Sequence, residues 1–207
     1  MGLKSADGLR DFCLELSEDK PSPGGGAASA AAGAMGASLF IMVCGLTRRK
    51  KAYQTYLQEL QSLEEELMHL RNDLLMLSAQ DAAAYDRVVD AVRKRRENDT
   101  PASMKEYNDA LREATEVPRR TATACMRLLE VAPRLAEIGS RSASSDTGVG
   151  IRLAEVGVRG AAMNIVINLK DSTDPSYVRT VGEELMTRGE RASALLREAL
   201  SILERPQ

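Results

Sequence analysis

The chain has no tryptophan and a single histidine, His69, and its aromatic content is only 3%. A core built on large rings is therefore excluded. Helices that pack on small side chains need few rings, so the scarcity fits a helical bundle better than a β-sandwich. One histidine leaves no Ser/His/Asp or Cys/His constellation and no histidine-rich metal centre, so no metal ligand set is expected. Cysteine is also sparse: Cys13, Cys44 and Cys125 lie far apart without CxxC spacing. Their odd number and apolar neighbours point to reduced core thiols in a cytoplasmic protein. A strong charge of either sign is missing too, with a formal net charge of −2, which argues against a nucleic-acid partner. The start, Met1-Gly-Leu-Lys-Ser5, lacks the apolar stretch of a signal peptide.

The remaining composition is that of an ordinary soluble chain. It has 207 residues, 43% hydrophobic and 28% charged, enough for one domain spanning 1–207 with a sizeable core. The periodicity is helical throughout, and the expected fold class is all-α. It is a single-domain helical bundle with buried Gly/Ala-rich central helices and one long heptad-patterned helix.

Leu9, Phe12, Cys13 and Leu16 mark one face of a first helix over about 7–17. Two prolines and three glycines in Lys20-Pro-Ser-Pro-Gly-Gly-Gly26 break it. From Pro21 to Thr47 no residue is charged, and 27–46 reads as a helix without a polar face, to be buried all round. A membrane span is the rival reading of that length, and Arg48-Arg-Lys-Lys51 imitates its basic flank. The weakly hydrophobic Ala/Gly/Ser half favours a buried central helix and no membrane partner.

The longest helix is expected over about 52–96. Its seam reads Tyr53, Tyr56, Leu60, Leu63, Leu67, Leu70, Leu74, Leu77, and the same count then lands on Asp81 before Ala84, Val88 and Ala91. Thr100-Pro101 restarts the chain as N-cap and first helical residue. Pro118 should kink the following helix, and Pro133 with Gly139 should close it. Ser144, Ser145 and Asp146 can cap a second charge-poor helix over 147–169, whose Asn164 and Asn168 share one face. Asp174-Pro175 caps the last helix, which runs to about Leu203.

Four features carry potential chemistry. Pro23, Gly24, Gly25 and Gly26 enter a helix, where converging N–H groups can hold an anion or a flat polar ring, though a plain interhelical turn would look similar. A carboxylate in an apolar seam, Asp81, either pairs with a buried cation, turns outward, or works as an acid or base with a raised pKa. Ser145-Asp146 is a cap that can also face a ligand. Arg48 to Lys51 complement a helix C-terminus and can also hold an anionic tail.

These residues together resemble the formiminotetrahydrofolate cyclodeaminase and methenyltetrahydrofolate cyclohydrolase family. The resemblance rests on Phe12-Cys-Leu-Glu-Leu16, Pro21-Ser-Pro-Gly-Gly-Gly-Ala-Ala-Ser29 and Gly33-Ala-Met-Gly-Ala-Ser-Leu39. It continues through Asp81-Ala-Ala-Ala-Tyr85, Ala114-Thr-Glu-Val-Pro118, Ser145-Asp146 and Gly160-Ala-Ala-Met-Asn-Ile-Val-Ile-Asn168. It implies a homodimer that takes a tetrahydrofolate derivative as substrate and needs no separate cofactor. One branch eliminates ammonia from formiminotetrahydrofolate; the other adds water to methenyltetrahydrofolate. Ala27 stands where many cyclodeaminases have Ser, and Gly45 where relatives often have Asn. These departures tilt the expectation toward the cyclohydrolase. On that resemblance the glycine turn holds the pterin, and Lys51 with Arg48 faces the anionic tail or reacting centre. Asp81 or Asp146 activates water and then protonates the departing nitrogen. Ser145, Asn164 and Asn168 are substrate-binding candidates.

Overall fold

The computed structural model describes residues 4–205, with side chains from Gly8 onward. Six α-helices carry it: α1 (Lys4–Leu16), α2 (Gly25–Arg48), α3 (Leu57–Glu97), α4 (Pro101–Ile138), α5 (Ser144–Leu169) and α6 (Pro175–Leu203). Among the described residues there is no strand. Helices α2, α3, α4 and α5 form a four-membered ring in which each packs on the next, and α6 lies against α4 and α5.

The heptad seam of α3 is the bundle's spine. Leu60, Leu67, Leu74 and Leu77 are fully buried or nearly so, and meet Phe40 and Val43 of α2 and Leu128, Leu129 and Leu135 of α4 in one core. On the Met76–Ala84 stretch the seam continues through Asp81, so the carboxylate is carried inward by the same periodicity that buries the leucines.

Small residues set the spacing of α2 and α5. A Cβ on Gly33 or Gly157 would come within 2.5 or 2.4 Å of the Cys125 sulfur, and one on Gly160 within 2.1 Å of the Ser29 hydroxyl. A Cβ on Gly36 would stand 2.9 Å from the Gly150 carbonyl. The sequence of α2 is thus small where neighbouring helices press on it and large at Phe40, whose ring lies against Gly150 of α5, where a Cβ would come within 2.6 Å of it.

Several expectations needed correction. Helix α2 is not buried all round: Met35, Met42 and Leu46 stand in a row at about 40% exposure. Residues Lys51–Tyr56 form a 3-10 turn, so α3 begins at Leu57 rather than near 52. Pro133 does not help to close α4: it lies inside a helix that continues through Pro118, as expected, and ends at Ile138 with Gly139 as its C-cap. Helix α5 starts one turn early, at Ser144, and its N-cap position is Ala143 without a side-chain cap, so Ser144, Ser145 and Asp146 do not cap it. Cys13 is exposed; only Cys44 and Cys125 are core thiols, each pushed up to about 12 by burial and hence inert. The apolar residues of α1 lie largely open, and that helix packs at most marginally on the ring. The caps at Thr100 and Asp174 are as expected: Thr100 forms a capping box with Ser103, and Asp174 accepts from the Ser176 and Tyr177 N–H groups.

Candidate active site

Gly24 occupies the N-cap position of α2 and has no side chain with which to cap it. The cap comes instead from across the bundle. Asp81 Oδ2 accepts a hydrogen bond of 2.9 Å from the Ala27 N–H, and Ser78 Oγ donates to the Ala27 carbonyl at 3.0 Å. One turn of α3 therefore grips the first turn of α2 at both polar groups of one residue. Gly26 makes this possible, because a Cβ there would lie 2.1 Å from Asp81 Oδ1. The triple glycine exceeds what a turn needs because a carboxylate from another helix fills the place of a side chain.

Oδ1 of Asp81 has no hydrogen-bond partner among the described residues. Burial raises the Asp81 carboxyl above its ordinary value, and the Ala27 N–H pulls it partly back. A half-buried carboxylate with one oxygen anchored and the other free can accept a proton and return it.

Asp81 opens onto a cleft of about 320 Å³ between the glycine turn, α3, α4 and α5. Gly24, Gly25, Tyr85, Asn164 and Asn168 line it, with Leu111 and Ile167 as its apolar walls. Both asparagines are oriented by their amide nitrogens: Asn164 Nδ2 donates to the Gly160 carbonyl and Asn168 Nδ2 to the Ala114 carbonyl, each at 2.8 Å. Asn164 also stands within van der Waals reach of the position a Gly25 Cβ would take. The first turn of α2, a carboxylate and two fixed amide side chains surround the cleft, an arrangement suited to a polar heterocycle.

Asp81, Gly24, Gly25, Asn164 and Asn168 are thus brought together at this cleft, with Gly26 beneath the carboxylate; Pro23 is half-buried next to Gly24 but does not line the cleft, whereas Pro21 and Ser22 do. The other sequence candidates are not. Arg48 and Lys51 sit at the far end of α2, ~34 Å from Gly25 along a helix rising ~1.5 Å per residue. Ser145 and Asp146 lie in the first turn of α5, ~27 Å along that helix from Asn164. There Arg48 pairs with Glu64, and Lys50 donates to Ser140 and Ser142 at 2.6 and 2.7 Å. The Ser140 N–H donates to Thr47 Oγ1 at 2.8 Å, tying that end of α2 to the α4–α5 connection. Sequence reasoning missed Tyr85 and Asp171. Tyr85 is legible in hindsight as one turn after Asp81, whereas Asp171 looks like any polar residue after a helix.

The chain belongs to the formiminotransferase-cyclodeaminase family, whose model matches residues 8–187. It is 35% identical over 199 residues to the methenyltetrahydrofolate cyclohydrolase of Methylorubrum extorquens, covering 95% of this chain and 92% of that protein. It is 30% identical over 193 residues to the formimidoyltransferase-cyclodeaminase of Mus musculus, of which it spans only 34%. The crystal structure of formiminotetrahydrofolate cyclodeaminase from Thermotoga maritima superposes with a TM-score of 0.86 at 30% identity over 95% of both chains.

Proposed function

We propose that this chain is a folate one-carbon enzyme that adds water to methenyltetrahydrofolate and so releases formyltetrahydrofolate. The observation that carries the reading is the Asp81 carboxylate, anchored through Oδ2 at the glycine turn and free at Oδ1 beside the cleft. The methenyl carbon is cationic and lies between two nitrogens. The cleft holds it against an anionic oxygen, with the pterin edge on the α2 turn and the two asparagines. Oδ1 takes one proton from a water as its oxygen bonds to the methenyl carbon. The tetrahedral carbon then collapses to the formyl carbonyl: one C–N bond breaks, Asp81 returns its proton to the leaving nitrogen, and the hydroxyl proton passes to solvent. The Methylorubrum extorquens relative, 35% identical and matched over 92% of its length, carries the cyclohydrolase name, which supports this branch.

Ammonia elimination from formiminotetrahydrofolate is the second reading, favoured by the Thermotoga maritima match. It uses the same tetrahedral carbon with ammonia in place of water. The chain acts in the cytoplasm, without a cofactor, as a homodimer. The exposed row on α2 supports the last point: the helix is long and apolar enough to cross a membrane, yet 61% of its apolar window is buried, and a second copy would cover the rest.

The test is spectrophotometric. Purified protein should accelerate loss of the methenyl chromophore. Appearance of that chromophore from the formimino compound would select the second reading instead. Neither reaction, together with no folate binding by calorimetry, would reject both.

A further inference from the structure

The cleft lacks something that its proposed substrate requires. A folate ends in carboxylates, yet the acidic residues Asp81 and Asp171 line the cleft near the glycine turn with no lysine or arginine beside them. The cations are at the opposite end of α2. Two of them are engaged, Arg48 with Glu64 and Lys50 with Ser140 and Ser142. Arg49 and Lys51 have no ion-pair or hydrogen-bond partner among the described residues and are exposed.

The outward stripe of α2 connects the two ends. It runs through Ala28, Ala31, Met35, Ser38, Met42, Leu46 and Arg49, in steps of three and four along the helix. On α5, which packs against α2, Val156 and Met163 are also exposed, at 51% and 74%. The midpoint of the stripe falls between Ser38 and Leu39.

We infer that two copies of this chain pack their α2 helices antiparallel about that midpoint, so that Arg49 and Lys51 of each copy complete the Asp81 cleft of the other. This rests on the folate reading for what the cations bind, but not for the packing. A two-fold axis between Ser38 and Leu39 sets Met35 against Met42 and Ala28 against Arg49, and the small residues Ala28, Ala31 and Ser38 allow the helices to approach. Antiparallel packing brings the basic end of one helix onto the acidic cleft of its mate. A parallel arrangement would set cations on cations and carboxylates on carboxylates. The borrowed cations hold the anionic tail of the substrate, and the glycine turn and Asp81 keep its ring.

The test uses two defective variants, Asp81→Asn and the double variant Arg49→Glu/Lys51→Glu, co-refolded as mixed dimers. In a mixed dimer one cleft has both defects and the other has none. An equimolar mixture should therefore recover about one quarter of wild-type kcat/KM, although each parent is nearly inactive. A dimer whose mixture stays at the parental level overturns the inference and leaves the folate reading standing.

Disulfide trapping tests the packing independently of any substrate. In a Cys13→Ser background, Met35→Cys mixed with Met42→Cys should cross-link. Ala28→Cys alone should not, since its two copies would lie ~32 Å apart along the antiparallel helices. Self-cross-linking of Ala28→Cys, or a monomer in sedimentation, overturns the packing whatever the activity.

Discussion

The two ends of α2 are built on opposite plans. At Gly24–Ala27 the helix begins without a capping side chain of its own, and the Ala27 amide is held by a carboxylate from α3. At Thr47–Lys51 it ends in hydroxyls and cations that stitch it to neighbouring segments: Thr47 to the Ser140 amide, Arg48 to Glu64, Lys50 to Ser140 and Ser142. The first end keeps an oxygen unpaired and a cleft open; the second commits Thr47, Arg48 and Lys50 to its neighbours and leaves only the exposed Arg49 and Lys51 without a partner among the described residues. The reactive carboxylate and the hydroxyl and cation ties of Thr47, Arg48 and Lys50 are thus separated along a single helix, and substitutions at these positions should fail in different ways.

The largest contrast is expected at Asp81. Asp81→Asn keeps an oxygen to accept from the Ala27 N–H but cannot take up a proton, so turnover should fall by about 10²–10⁴-fold. Its melting temperature should not fall. Burial raises the Asp81 carboxyl, so the folded state binds that proton more tightly than the unfolded chain does. Stability is therefore lost as pH rises through the raised folded value, and the amide relieves that loss at neutral pH. A variant that melts well below wild type while retaining activity would reduce Asp81 to a cap.

Gly26→Ala comes next. The new methyl group would overlap the Asp81 carboxylate, and displacing it should cost about 1–3 kcal/mol together with most of the activity. Both losses are measurable by denaturation and by the chromophore assay. At the other end, Thr47→Val should cost a similar 1–3 kcal/mol by leaving the buried Ser140 N–H unpaired, but with turnover per folded molecule retained.

A finer probe is the pH profile. If Oδ1 must be deprotonated to accept from water, the acidic limb of the rate should lie above the ordinary carboxylate value of 3.8, as burial of Asp81 requires. That limb should vanish from the residual activity of Asp81→Asn. The smallest effect concerns the thiols. Under native conditions a thiol reagent should modify Cys13 alone, Cys44 and Cys125 responding only on unfolding.

Much of the bundle is legible in the sequence because its period is strict. The α3 seam places Leu60, Leu67, Leu74 and Leu77 inside and singles out Asp81 as a carboxylate carried into the core. The pairing of Asp81 with Gly26 is not legible, since it joins residues on two helices through a vacancy left by a missing Cβ. The Ser145-Asp146 and Lys51 candidates illustrate the opposite difficulty. Local motif chemistry marks them as reactive, but whether they share a cleft with Gly24 depends on helix length and direction, which place them remote from it in one protomer. The exposed row of α2 was hidden for a related reason: a charge-free sequence does not distinguish a face covered by its own bundle from one left for another molecule.

Cys125 also has a consequence for how this chain can change. Its sulfur lies in the notch left by two absent methyl groups, one on Gly33 and one on Gly157. Three helices therefore meet around one atom with no slack, and none of the three positions can drift alone. A methyl group gained at either glycine calls for a smaller residue at Cys125, so Gly157→Ala should be tolerated far better alongside Cys125→Ala than by itself. Sequence variation at this junction should travel in sets.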